Sequence, residues 1–208
     1  MSPRYVAFEG PEGCGKSTQA ALLAEALGAV LTRETGGTEI GERLRAVLHD
    51  PEVTTLDARA EALLIAADRA QHLAEVVGPA LAAGRIVVSD RSVYSSLAYQ
   101  GHGRRLPLDE IRRINDWALR GTWPELVVLL DVPDTELAAR LARRELDRFE
   151  REDAAFHARV AAGFRTMAGA DPDRFLVVEA GGRTIDDLAA EILERVTARG
   201  VTARTDAA

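Results

Sequence analysis

The chain has little cysteine: Cys14 stands alone among 208 residues. One thiol cannot close an intramolecular disulfide, so a reducing compartment is the expected setting. No apolar run is long enough to cross a bilayer, and the N-terminus lacks the basic, apolar pattern of a secretory leader. A soluble, unexported, cytoplasmic protein without a membrane partner is therefore expected. Positive charge is in deficit too, since 26 Lys and Arg against 33 Asp and Glu give −7. That balance argues against a nucleic-acid partner, and any anionic substrate must be met by arginines concentrated locally. There is no internal repeat, linker or low-complexity tract. The expected organisation is one domain over residues 1–200, large enough to need no disulfide or metal for its core, and a frayed tail over 201–208.

What the chain does have is concentrated near its start. Tyr5-Val6-Ala7-Phe8 feeds into Gly10, Pro11, Glu12, Gly13, Cys14, Gly15, Lys16, Ser17 and Thr18. The spacing G-x-x-x-x-G-K-[ST] is that of a P-loop: glycines let successive backbone N–H groups point into one concavity, where they bind di- or triphosphate oxygens. Lys16 is placed to reach the outer phosphates and Ser17 to ligate Mg²⁺. The alanine- and leucine-rich stretch from Gln19 to Leu27, closed by Gly28, supplies the helix the motif requires, and its N-terminal dipole adds to anion binding.

Apolar runs then alternate with helical patterns. Candidate strands are Tyr5–Glu9, Ala29–Arg33, Ile86–Ser89, Leu126–Asp131 and Phe175–Glu179. The fold class is α/β: a five-stranded parallel sheet with helices on both faces. Ligands in such sheets gather at the carboxyl ends of strands. There the sequence places Thr32–Thr38, Asp90-Arg91 and the Ala180-Gly181-Gly182 loop, which suits close approach to a flat base; Asp90 is a candidate for holding hydrated Mg²⁺. Thr55–Val77 reads as a helix with Leu56, Leu63, Leu64 and Val76 mostly on one side, broken or kinked by Gly78-Pro79. Its Asp68, Arg69, Gln71 and His72 read as a solvated face, with His72 at the surface or in a cap. Leu108–Arg120 is amphipathic and closed by Gly121, and Trp117 and Trp123 read as core or interface filler. Thr184 with Asp187 resembles a capping pair for a final helix.

A GTPase would normally carry a guanine-reading Asn-Lys-x-Asp stretch, which is missing. A compact P-loop chain with an arginine-rich middle suits phosphoryl transfer between small molecules. Phe8–Thr18, Thr32–Arg45, Ala66–His72, Asp90–Gly101, Asp147–Glu150 and the loop after Val178, in that order and spacing, resemble bacterial thymidylate kinases across nearly all of residues 4–197. The resemblance implies the P-loop nucleoside monophosphate kinase fold, a homodimer using the helix around Thr55–Val77, and phosphorylation of dTMP to dTDP by ATP and Mg²⁺, a step towards dTTP.

By the same resemblance, Lys16 and the P-loop hold the ATP phosphates, Ala180 and Gly181 flank its base, and Ser17 with Asp90 holds the metal. Glu12 sits near the acceptor sugar's 3′-hydroxyl. Arg33, Arg45 and Arg91 grip the acceptor phosphate, Arg69, Ser96 and Gln100 read the thymine edge, and Tyr99 crowds the position of a ribose 2′-hydroxyl. With no basic residue in the P-loop besides Lys16, the chain resembles the type in which a lid over about 140–151 completes the site, with Arg143 and Arg148 as candidates and Arg140 and Arg144 behind them. Thr35 stands where the family usually has proline, and Ile65 where an aromatic residue commonly stacks on thymine. Another nucleoside monophosphate kinase, or a regulatory protein that binds ATP without transferring phosphate, are the alternatives.

Overall fold

The computed structural model describes residues 4–141 and 146–202. Five strands, β1 (Tyr5–Glu9), β2 (Val30–Arg33), β3 (Val87–Asp90), β4 (Leu126–Asp131) and β5 (Phe175–Glu179), pair in the order β2-β3-β1-β4-β5, every neighbouring pair parallel. Parallel neighbours cannot be joined by hairpins, so the connections carry helices across the sheet. Central β1 is buried along its whole length, whereas edge strand β2 alternates half-buried and exposed residues. Flanking on both sides is why β1 and β4 read as nearly unbroken apolar runs.

The helices are α1 (Lys16–Leu27), α2 (Glu39–His49), α3 (Ala58–His72), α4 (Gly78–Ala82), α5 (Val93–Ser96), α6 (Leu108–Leu119), α7 (Asp134–Leu141), α8 (Ala154–Ala170) and α9 (Ile185–Ala198). On one face of the sheet Val6, Phe8, Val128 and Leu130 meet Leu23 and Leu27 of α1 and Leu188 and Ile192 of α9. On the other, Val127, Leu129 and Phe175 meet Ile111 of α6 and Phe156 and Phe164 of α8. The two-residue period of β4 divides its apolar side chains between these cores, and each fully buried one contributes about 1.5–3 kcal/mol. Thr184 caps α9 as expected, accepting from the Asp187 N–H at 3.2 Å and donating to Oδ2 of Asp187 at 2.7 Å. Val201 is wholly buried in the first core; residues 203–208 of the expected tail lie outside the described residues.

Residues 55–77 depart from the sequence expectation. Asp68, Arg69 and His72 are not a solvated face but are buried, while Leu63 is 57% exposed. The inversion holds because Arg69 and His72 find partners in the neighbouring strand, turn and helices, which offsets their desolvation, while Asp68 takes the Gly36 N–H on one oxygen and leaves its buried Oδ2 without a partner among the described residues. Gly78-Pro79 does not break the helix either. A π-helical turn over Leu73–Val77 lets the Gly78 N–H donate to the Leu73 carbonyl, and the chain continues directly into α4. A second π-helical stretch, Leu97–Gly103, follows α5 and buries Tyr99 and Gln100. Trp117 is no core residue at 84% exposure, whereas Trp123 packs against the second core. Arg120, rather than Gly121, is the first residue to turn left-handed after α6, with φ 49°.

Candidate active site

β1 ends at the loop that shapes the anion site. Gly10 has φ 141°, and a Cβ there would stand 2.6 Å from the Leu130 carbonyl oxygen; Gly15 has φ 102° immediately before α1. Both positions favour a residue without a side chain, which is why the motif spaces glycines there. Lys16 is 6% exposed, and its Nζ donates to the Pro11 carbonyl at 2.8 Å. No acidic residue occupies the first turn of α1, so the N-terminal field of that helix is unopposed from its own surface.

Parallel pairing sets Asp90 of β3 beside Phe8 of β1, at the mouth of the same loop. Ser17 Oγ donates to Asp90 Oδ2 at 2.5 Å. Asp90 Oδ1 is buried and has no partner among the described residues. A hydroxyl beside a carboxylate with a spare oxygen is a hard donor set, suited to a small divalent cation that keeps water and phosphate as its other ligands.

Beyond the P-loop opens a cleft of about 560 Å³. Arg91 enters it from a left-handed backbone, φ 73°, held in place as its N–H donates to the Phe8 carbonyl at 2.9 Å and its carbonyl accepts from Ser89 Oγ at 2.7 Å. Its guanidinium donates to Glu12 Oε1 at 2.5 Å, to Ser95 Oγ at 3.0 Å and to the Tyr99 hydroxyl at 3.3 Å. Burial raises the Glu12 carboxyl, but Arg91 and Lys16 outweigh it and bring its pKa down to about 2. Arg45 Nη1 donates to the Thr35 carbonyl at 3.2 Å, and Arg33 Nε to the Gly36 carbonyl at 3.1 Å. Burial, then the positive charges of Arg33 and Arg91, push Arg45 below the ordinary arginine range. Three guanidiniums that repel one another across a cleft are relieved by an anion between them.

At the far end the polar groups are buried and cross-linked. Arg69, 1% exposed, donates through Nε to Glu34 at 2.8 Å, through Nη1 to Ser96 Oγ at 3.0 Å and to Asn115 Oδ1, and through Nη2 to the Ser92 carbonyl at 3.1 Å. His72 lies between Glu34, 2.9 Å from Nδ1, and Thr32, 2.6 Å from Nε2. Burial would raise the Glu34 carboxyl, yet Arg69 and His72 hold it below the usual range. Asp68 accepts the Gly36 N–H at 3.0 Å and so fixes the turn that carries Arg33 and Thr35. Glu9 fixes the next turn, accepting the N–H and Oγ–H of both Ser92 and Ser95 at 2.6–3.1 Å.

A P-loop, a Ser–Asp pair, an arginine cluster and a recess lined by buried polar groups lie along one cleft, and comparison with known proteins gives that arrangement a family. The profile of thymidylate kinases matches residues 8–192. The chain belongs to the thymidylate kinase family. It is 48% identical to a thymidylate kinase of Leifsonia xyli subsp. xyli over 94% of this chain and 95% of the relative. Identity to that of Chromobacterium violaceum is 46%, over 95% and 96%. A thymidylate kinase crystal structure from Ehrlichia chaffeensis superposes with a TM-score of 0.78 at 30% identity, covering 95% of this chain and 99% of that one.

Against the thymidylate kinase residues expected from sequence, the structure gathers Glu12, Lys16, Ser17, Arg33, Arg45, Ile65, Arg69, Asp90, Arg91, Ser96, Tyr99 and Gln100 around the one cleft. Ala180 and Gly181 stand apart from it, beside Asp131 and Pro133 at the ends of β4 and β5. Arg148 is turned aside: its Nη1 pairs with Glu61 at 2.7 Å and its Nε donates to the Leu48 carbonyl at 2.7 Å. Arg143, Arg144 and the side chain of Arg140 lie outside what the structure describes. Sequence reasoning missed Glu9, Glu34, His49, Glu61 and Asn115. His49 lines the cleft with Nδ1 2.7 Å from Asp147, and Glu61, wholly buried, takes three polar side chains. For Glu61 the available signal was a carboxylate flanked by Ala60 and Ala62, three residues before Leu64.

Proposed function

We propose that this cleft carries the family's reaction, transfer of the γ-phosphoryl group of ATP to the 5′-phosphate of dTMP, giving dTDP and ADP. The convergence of Arg33, Arg45 and Arg91 opposite the P-loop is the observation that carries the reading. ATP phosphates lie on the P-loop N–H groups and Lys16, which exchanges the Pro11 carbonyl for a phosphate oxygen. The acceptor phosphate lies between the three arginines, whose planar donors suit bidentate recognition. Its attacking oxygen is already anionic, so no general base is needed and catalysis is positioning and charge stabilisation.

Ser17 and Asp90 are the residues that would hold Mg²⁺, which supplies charge neutralisation on the transferring phosphates; the unpartnered Oδ1 of Asp90 fits that role. Further positive charge comes from the lid over about 140–151, with Arg143 as its first candidate. Tyr99, held at 3.3 Å from Glu12, borders the sugar, and Arg69, Ser96 and Gln100 meet the base. Four of the five Arg69 N–H donors are occupied, which leaves one for a base carbonyl. The chain works as one kinase domain over 1–200 in the cytoplasm, and no helix among the described residues is long and apolar enough to cross a membrane. It pairs as a homodimer through the outer side of α2 and α3, where Ile40, Val47 and Leu63 are 45–57% exposed on helices packed together. A monomeric mass in solution overturns the dimer.

The reaction is tested by coupled ADP release with ATP and Mg²⁺, offering dTMP, dUMP, dCMP, AMP and GMP separately. The expected order is dTMP first and dUMP poor but real, because the thymine methyl is worth about 1–3 kcal/mol, with purine nucleotides essentially inert. Fast phosphorylation of AMP or GMP overturns the assignment of the base-reading residues.

A further inference from the structure

Glu61 is wholly buried in α3, 0% exposed, and touches neither the P-loop nor the arginine cluster. Its two oxygens have unequal neighbours. Oε2 is claimed by two guanidiniums, Arg104 Nη2 at 3.0 Å and Arg148 Nη1 at 2.7 Å. Oε1 accepts from Gln100 Nε2 at 2.8 Å, with Arg104 Nε at 3.2 Å. Gln100 is itself 1% exposed, lines the cleft, and has an Oε1 without a partner among the described residues.

A primary amide has one donor end and one acceptor end, and a carboxylate is an acceptor only. By accepting one of its two N–H donors Glu61 turns the NH₂ end of Gln100 towards α3, and the atom of the amide left without a partner among the described residues is the carbonyl oxygen. A buried acceptor without a partner is costly, and a ligand that brings an N–H repays that cost while one that brings a lone pair deepens it. We propose that Glu61 is a positioning residue for substrate choice: by fixing the Gln100 amide it makes the base recess demand a pyrimidine with a ring N–H, as in thymine and uracil, and reject one whose ring nitrogen is an acceptor, as in cytosine. Discrimination in this family site is then enforced from behind the residue that meets the base. The inference rests on the placement of the base against Gln100 given above.

The informative substitution is Glu61→Gln. Its own amide turns its oxygen to the two guanidinium N–H groups on the Oε2 side, at 2.7 and 3.0 Å, and its NH₂ to Gln100, because that orientation opposes a donor to Arg104 Nε alone, at 3.2 Å, and the reverse opposes one to both nearer groups. Gln100 must then flip and present NH₂ to the cleft. Wild type, Glu61→Gln, Gln100→Ala and the double variant are compared for kcat/KM on dTMP and dCMP. Glu61→Gln is expected to narrow the dTMP-to-dCMP ratio by about tenfold or more, the size set by one mispaired buried group, with the loss on dTMP falling on KM rather than on kcat. In the double variant the ratio should be no narrower than in Gln100→Ala alone, because Glu61 acts only through Gln100.

An unchanged ratio in a folded Glu61→Gln protein, or effects that add in the double variant, overturns the proposal. If Glu61→Gln does not fold, the wild type decides: with dTMP bound, nuclear Overhauser contacts from the Gln100 amide protons should reach α3 and not the base, and contacts to the base refute the orientation. A wild type that does not prefer dTMP over dCMP sinks the base-reading assignment itself. A preference that survives Glu61→Gln sinks only the role of Glu61.

Discussion

Replacing Glu12 by Gln isolates the charge that the P-loop lends to Arg91. The Glu12 side chain is only 18% exposed and accepts from Arg91 at 2.5 Å. Its pKa falls from 4.5 to about 2 as Arg91 and Lys16 overcome the effect of burial. At about 1.4 kcal/mol per pH unit, the depression corresponds to about 3 kcal/mol in favour of the folded state. Because the folded pKa lies below the unfolded one, that contribution is complete above pH 4.5 and drains away as pH falls towards 2. Integrating between those limits, about 2 kcal/mol of it is gone by pH 3. The amide of the Glu12→Gln variant has no proton to gain, so the stability gap between wild type and variant should be flat from pH 7 to about 5.5 and close steeply below 4.5. Urea unfolding of both proteins at pH 7, 5, 4 and 3 measures the gap directly. A gap that stays constant between pH 5 and pH 3 would refute the pairing as an electrostatic one.

Two substitutions in the cleft test the nucleotide and base ends. Lys16→Ala should cut turnover by orders of magnitude without unfolding the protein, since the side chain serves a loop whose shape is set by glycines; near-normal turnover counts against phosphate binding there. Ile65→Phe, where Ile65 lines the cleft beside Tyr99 and Phe149, should lower the dTMP KM about 2- to 13-fold, the equivalent of about 0.5–1.5 kcal/mol from ring stacking. A KM equal to or above that of the wild type removes stacking as the reason.

The sheet, its five strands and the placement of the P-loop on β1 were legible because they depend on local signals: continuous apolar runs, glycine spacing, and a helix former after the loop. Long-range polar burial was not legible in the same way. The expectation for α3 failed at Asp68, Arg69 and His72 because charge in a helix is usually solvated, and nothing local says that Thr32, Glu34 and Asn115 wait across the fold to receive it. Arg148 was expected at the phosphates and is found on Glu61 for the same kind of reason, a buried carboxylate 87 positions away in the chain. Trp117, expected in the core or at an interface, is 84% exposed and so lies outside the core of this chain, since size alone does not say which of the two an aromatic side chain serves.

The buried partners of Arg69 and Arg148 belong to a pattern that bears on how the cleft is built. Glu9, Glu34 and Glu61 are nearly or wholly buried carboxylates, and each one braces a different segment: Glu9 the turn at Ser92 and Ser95, Glu34 the Arg69 guanidinium, Glu61 the Gln100 amide. Replacing such a carboxylate together with its cationic partners by well-packed apolar side chains would often be neutral or better for stability, because desolvating a carboxylate costs several kcal/mol before its partners return any of it, whereas removing the carboxylate alone strands a buried charge. What an apolar side chain cannot do is fix which end of an amide, or which edge of a guanidinium, faces the cleft. Orientation of that kind has to be set before the ligand arrives if the reacting groups are to meet without reorganisation. The three braces act on the stretch from Arg91 to Gln100 and on the arginine packed against it, so the part of the site that selects the acceptor is supported from behind by buried carboxylates, whereas the P-loop takes its shape from glycines at positive φ and is held by cations, Lys16 on the Pro11 carbonyl and Arg91 on Glu12.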